Sequence, residues 1–111
     1  MKLSEFLVIA KSKIDSENKW CQGSCAINVK GFTVLAIDSS ACRFCAAGAI
    51  ISGIDEKCEK LSHELLEEII KKDSNHANLV EFNDSSTHKQ VMELWDKAIA
   101  KALEQESLTC A

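Results

Sequence analysis

Apolar residues recur at helical spacing in three stretches of this chain. Over residues 3–17, Leu3, Phe6, Leu7, Ala10 and Ile14 share one face, while Lys2, Lys11, Lys13 and Glu17 fall mostly on the other. Ser4 is placed to cap this helix, Leu3 and Val8 to staple its start, and Asn18 to stop it. Over residues 56–72, Cys58, Leu61, Leu65 and Ile69 form a stripe that Leu66 and Ile70 widen, with Asp55 as the cap and Lys71 and Lys72 in the last turn. The third stretch holds Val91, Leu94, Trp95, Ala98, Ile99 and Ala102 behind a capping box of Thr87 and Gln90. This helix is expected to end near Glu104.

Other stretches break the amphipathic pattern. Residues 41–52 are apolar on every side, which predicts a helix buried all round at the centre of the fold. Asp38, Ser39 or Ser40 is placed to cap it, and Gly53 to close it. Gly48 in its middle costs roughly 1 kcal/mol relative to Ala, which close backbone packing would offset. CAINV and FTVLAI flank Lys30-Gly31 and predict a β-hairpin near 24–37. Leu79, Val80 and Phe82 form a short apolar segment before Asn83-Asp84. The expectation is a mainly α single domain over 1–111: about four helices around the central helix 41–52, with one short hairpin.

Composition supports that reading. The 111 residues are 46% hydrophobic and include no proline and no tyrosine, which disfavours a sandwich or barrel built on turns and aromatic strands. A net charge of −4 without a basic block argues against nucleic acid as a partner. No apolar run is long enough for a membrane span, and the charged residues in MKLSEFLVIAKSK read as helix, not as a secretory signal. The expected setting is cytoplasmic, with Cys21, Cys25, Cys42, Cys45, Cys58 and Cys110 as free thiols.

Four chemistries compete for the polar and sulfur residues. Cys21-x3-Cys25 and Cys42-x2-Cys45 are spaced like two knuckles of a tetrahedral zinc site, so zinc is the alternative to having no cofactor. A Cys-x-x-Cys at a helix start also suggests a thioredoxin-like redox pair, but that fold needs a cis-proline and this chain has none. Cys45, His76 and Asn83 follow the chain order of papain-like thiol hydrolases, although the expected sheet for the histidine is missing. Finally, Arg43 is the only arginine and is expected at the mouth of the apolar helix, paired with Asp84 or Asp38. Gln22, Arg43, Asn83, Asp84 and His88 would then line a small polar pocket able to hold an anion at the helix start.

The elements WCQG, RFCAAGAI, FND and VMELWDKAIAKA together resemble a family of small bacterial and phage proteins classed as a domain of unknown function. The likeness spans about residues 3–103, and its matching positions are Trp20, Gly23, Cys45, Gly48, Ala49, Asn83 and Asp84. Cys21, Cys25 and Cys42 fall outside it, which tells against a zinc site common to the family. The resemblance implies a bacterial or phage context and brings no activity. The expected function is that of a small non-catalytic binding or accessory protein, whose partner is another protein or a small anion. The zinc-stabilised module and the thiol-dependent hydrolase stand as its alternatives.

Overall fold

The computed structural model describes residues 1–109; Cys110 lies outside them. The chain is mainly α. Helices α1 (Leu3–Ser12), α2 (Ala46–Ile51), α3 (Glu56–Asp73), α4 (Leu79–Ser85) and α5 (His88–Thr109) surround one contiguous apolar core. Strands β1 (Ala26–Ile27) and β2 (Arg43–Phe44) form a small antiparallel ribbon. The apolar faces of α1, α3 and α5 meet at Trp95, which is fully buried and donates its indole N–H to the Leu7 carbonyl at 3.0 Å. Salt bridges tie α5 to its neighbours at the surface: Lys11 to Asp96 at 2.7 Å and Lys97 to Asp73 at 3.3 Å.

The caps of the two long helices form as their residues require. The Asp55 carboxylate accepts from Cys58 N at 3.0 Å. Thr87 and Gln90 exchange side-chain and backbone bonds at 2.9 and 3.2 Å. Other boundaries move. α1 ends at Ser12 instead of near Glu17, and Ser4 does not cap it. Ser4 is buried, and its hydroxyl and amide both bond the Glu106 carboxylate, at 2.6 and 3.0 Å. That contact falls in α5 beyond Glu104, where the helix runs on to Thr109. On α3, Ser62 takes the buried place expected for Leu61. Residues 79–85 form a fifth helix, capped by Asn78, whose side chain accepts from Glu81 N. Ile54, not Gly53, adopts the left-handed backbone after α2, with φ 54°.

The predicted hairpin turn is present. The Asn28 carbonyl accepts from Gly31 N, and its side chain accepts from Lys30 N and Phe32 N, all at 3.0 Å. Gly31 supplies the positive φ of 84° that this turn needs. The returning arm makes one bridge, Thr33 to Ile27, and then leaves. The other edge of β1 pairs with β2, Ala26 opposite Phe44 and Ile27 opposite Arg43. Trp20 bridges Phe44 beyond it. The order across the ribbon is therefore Trp20, β2, β1, Thr33.

This pairing shortens the central helix. Residues 41–45 are not helical, because Cys42 N and Cys45 N donate to the Ile27 and Cys25 carbonyls, at 2.9 and 3.0 Å. Helix α2 starts at Ala46 with Cys45 as its cap, replacing the expected Asp38, Ser39 or Ser40. Gly48 holds α2 directly against the ribbon: a Cβ built there would lie 1.9 Å from the Cys25 carbonyl oxygen. No described helix is long and apolar enough to cross a membrane.

Candidate functional site

The polar residues singled out in the sequence do gather, but around a side chain and not around a cavity. Asn83, on α4, is 1% exposed. Its Oδ1 accepts from Trp20 Nε1 at 2.7 Å and from Ala46 N at 2.9 Å. Its Nδ2 donates to the Cys21 carbonyl and to Asp84 Oδ1, both at 3.1 Å. An amide side chain offers two donors and two acceptor lone pairs, so Asn83 is saturated. Around it, Gln22 Nε2 donates to the Asn83 and Ser86 carbonyls at 2.9 Å, and Asp84 accepts from Gly23 N at 2.9 Å. His88 packs its ring 5.6 Å from that of Trp20 and meets the Ile14 carbonyl through Nε2 at 2.6 Å. Together these contacts fasten the segment Trp20–Gly23 to α4 and to the start of α2.

Arg43 is not part of that knot. It lies on β2, exposed, and forms no ion pair among the described residues. The expected Arg43–Asp84 salt bridge is replaced by the bonds Asp84 makes to Gly23 and Asn83. The proposed anion cradle is also closed. The first amides of α2 are taken by Asn83 at Ala46 and by the Cys45 sulfur at Gly48, the latter at 3.3 Å.

Among the described residues, the cysteines assemble no reactive centre. Cys45 is buried, and burial pushes its thiol up to about 12, outweighing the Gly48 amide that favours the thiolate. A nucleophile would need the reverse. His76 lies apart, with its ring edge against Phe82 and Nδ1 3.5 Å from Glu81. It lines a cleft of about 290 Å³ between α3, α4 and α5 with Asp73, Phe82, Glu93 and Lys97. Cys45, His76 and Asn83 therefore form no hydrolase triad. The two cysteine pairs form no four-thiolate cage. Cys21 is buried with its thiol donating to the Ser24 carbonyl at 3.4 Å, and burial raises its pKa, while Cys25 and Cys42 are exposed. Among the described residues no group of three or more His, Cys, Asp or Glu is arranged to hold a metal ion.

The surface that stands out is one the sequence pattern hides. The loop between β1 and β2 exposes Val29 (87%), Phe32 (66%), Leu35 (71%) and Ile37 (62%) to solvent. FTVLAI carries the composition of a buried strand, and hydropathy alone does not separate that from a strand left open. Local bonds brace both ends of the loop: the Asn28 turn at one end and, at the other, Asp38, whose carboxylate accepts from the Ser40 amide and hydroxyl at 2.8 and 2.7 Å. Those two bonds hold the Asp38 carboxyl below its usual range. A shallow depression of about 610 Å³ opens between the turn and residues 39–42, lined by Val29, Lys30, Phe32 and Cys42.

The Trp20–Asn83–Ala46 knot joins the three short motifs WCQG, FND and RFCAAGAI in space, so the likeness they carry reflects one structural unit. The chain belongs to DUF6197, a family of unknown function. The family profile matches residues 1–101 and so includes every residue of the knot. No curated protein and no solved structure matches the chain.

Proposed function

We propose that this member of DUF6197 is a small non-catalytic accessory protein that binds another protein through the apolar loop 28–42. The observation that carries the reading is the exposure of Val29, Phe32, Leu35 and Ile37 within one loop braced at both ends. Large apolar side chains gathered on a surface mark contact sites, because covering them removes about 25 cal/mol per Å² of apolar area from water. The alternative sites lend less support: Asn83 is saturated, Cys45 is buried with a raised pKa, and Arg43 is exposed on β2 while the Ala46 and Gly48 amides of α2 are already bonded. The setting we propose is bacterial or phage, as the motif resemblance implies. A reducing cytoplasm fits the exposed free thiols Cys25 and Cys42.

The reading is tested with a photo-crosslinking amino acid placed at position 32 in the host cell, and separately at Lys72 on the far end of α3. The expected result is a discrete crosslinked protein band from position 32 and none from position 72. No band from position 32, or the same bands from both, overturns it.

A further inference from the structure

The loop also determines how a partner would be held. We propose that the partner docks as an extended strand on the free edge of the ribbon at Thr33, and that it carries apolar residues alternating with Asp or Glu. This rests on the reading of loop 28–42 as the protein-binding surface.

The hydrogen-bond pattern identifies the edge. Thr33 faces Ile27 across an antiparallel bridge, and the bonds that frame it belong to their neighbours: Asn28 N to the Phe32 carbonyl at 3.0 Å and Val34 N to the Ala26 carbonyl at 3.1 Å. A pair framed in this way points its own N–H and C=O groups away from each other. For Ile27 that outward carbonyl accepts from Cys42 N on the β2 side, at 2.9 Å. For Thr33 the outward groups meet no backbone partner among the described residues. An extended segment can bond such an edge through its main chain, and its alternate side chains then meet the flanking pockets. Here the flanks are Phe32 and Leu35.

The charge of the partner follows from its surroundings. Lys30, which lines the depression beside Phe32, is exposed and forms no ion pair among the described residues, whereas the equally unpaired Arg43 lies across the ribbon on β2. Loop 28–42 holds one carboxylate, Asp38, already engaged by Ser40. A protein of net charge −4 thus presents an unpaired cation, Lys30, beside the exposed Val29 and Phe32. Carboxylates on the docking strand would complement it. A lipid surface fits less well, because the unpaired N–H and C=O of the edge would have no partner in hydrocarbon. A second copy fits less well too, because a two-fold pairing of this edge sets Lys30 of both chains on one interface and supplies no carboxylate but the engaged Asp38.

The test is selection of a random peptide library displayed on phage against the immobilised full chain. The expected peptides alternate apolar residues with Asp or Glu. A synthetic copy of the strongest should bind more weakly as salt is raised. Methylating its alternate backbone nitrogens should abolish binding, and Lys30→Glu should weaken it about threefold. Selection of peptides without that alternation, or binding indifferent to backbone methylation, overturns strand docking and leaves the proposed function standing. So does the absence of any selected peptide when position 32 still crosslinks to a protein. Binding to phosphatidylserine vesicles that is lost in Phe32→Ser/Leu35→Ser overturns the inference in favour of a membrane. Concentration-dependent dimerisation lost in that variant overturns it in favour of a second copy.

Discussion

Replacing Asn83 with Ala should be the most damaging single truncation of a polar side chain in this protein. The change removes four hydrogen bonds at once. Their losses are unequal. Asp84 is exposed and Trp20 is half-buried, so water can replace the amide there. Ala46 is fully buried, and its N–H would be stranded at the start of α2. The buried Cys21 residue would also lose the donor to its carbonyl. A stranded buried group costs about 1–3 kcal/mol and each re-solvated bond about 0.5–1 kcal/mol, which together come to about 4 kcal/mol. A domain of this size is stable by about 5–15 kcal/mol, so the variant should fold marginally. Urea denaturation followed by tryptophan fluorescence measures the loss. Asn83→Asp should be no less damaging than Asn83→Ala at neutral pH: Oδ1 can still accept from Trp20 and Ala46, but the second oxygen would face the Cys21 carbonyl and the Asp84 carboxylate with no proton to donate, and a charge would be buried. A loss below about 1 kcal/mol for Asn83→Ala would refute the reasoning, since it would mean that the knot does not hold the WCQG segment to the helices.

Four further outcomes follow from the geometry. Gly48→Ala puts a Cβ where the Cys25 carbonyl stands, and should destabilise by at least about 3 kcal/mol in the same denaturation assay. Ser62→Ala removes a buried hydroxyl that has no hydrogen-bond partner among the described residues, and should raise the thermal midpoint, by about 1 kcal/mol in stability. Thiol labelling of the folded protein at neutral pH, read by mass spectrometry, should modify Cys25 and Cys42 quickly and leave Cys21, Cys45 and Cys58 intact; rapid labelling of Cys45 would contradict its burial. The bonds from Ser4 hold the Glu106 carboxyl below its usual range, so its contribution is present above the unfolded pKa and is lost as pH falls through the folded one. The gap in urea midpoint between the native chain and Ser4→Ala should therefore narrow from about pH 7 to about pH 3.

Local signals made the long helices legible. The stripes of α3 and α5 follow from period alone, and Asp55 and the Thr87–Gln90 box mark their starts because a cap acts within three residues. Gly48 also declared itself, as a costly residue in a helix whose compensation is the carbonyl beside it. Partners remote in sequence decided the rest. The start of α2 shifted to Ala46 because its first amide is met by Asn83, 37 positions away, which no local rule for caps anticipates. α5 ran on past Glu104, where Glu106 meets Ser4 across 102 positions. Asn83 and Asp84 were recognisable as belonging together with Trp20, yet whether they lined a pocket or filled one depended on packing density, a property of the assembled chain. The exposure of Phe32 and Leu35 was likewise decided in three dimensions: their segment has the pattern of a core strand, and it is open to water because β1 spends its other edge on β2 and, among the described residues, no further strand pairs with Thr33.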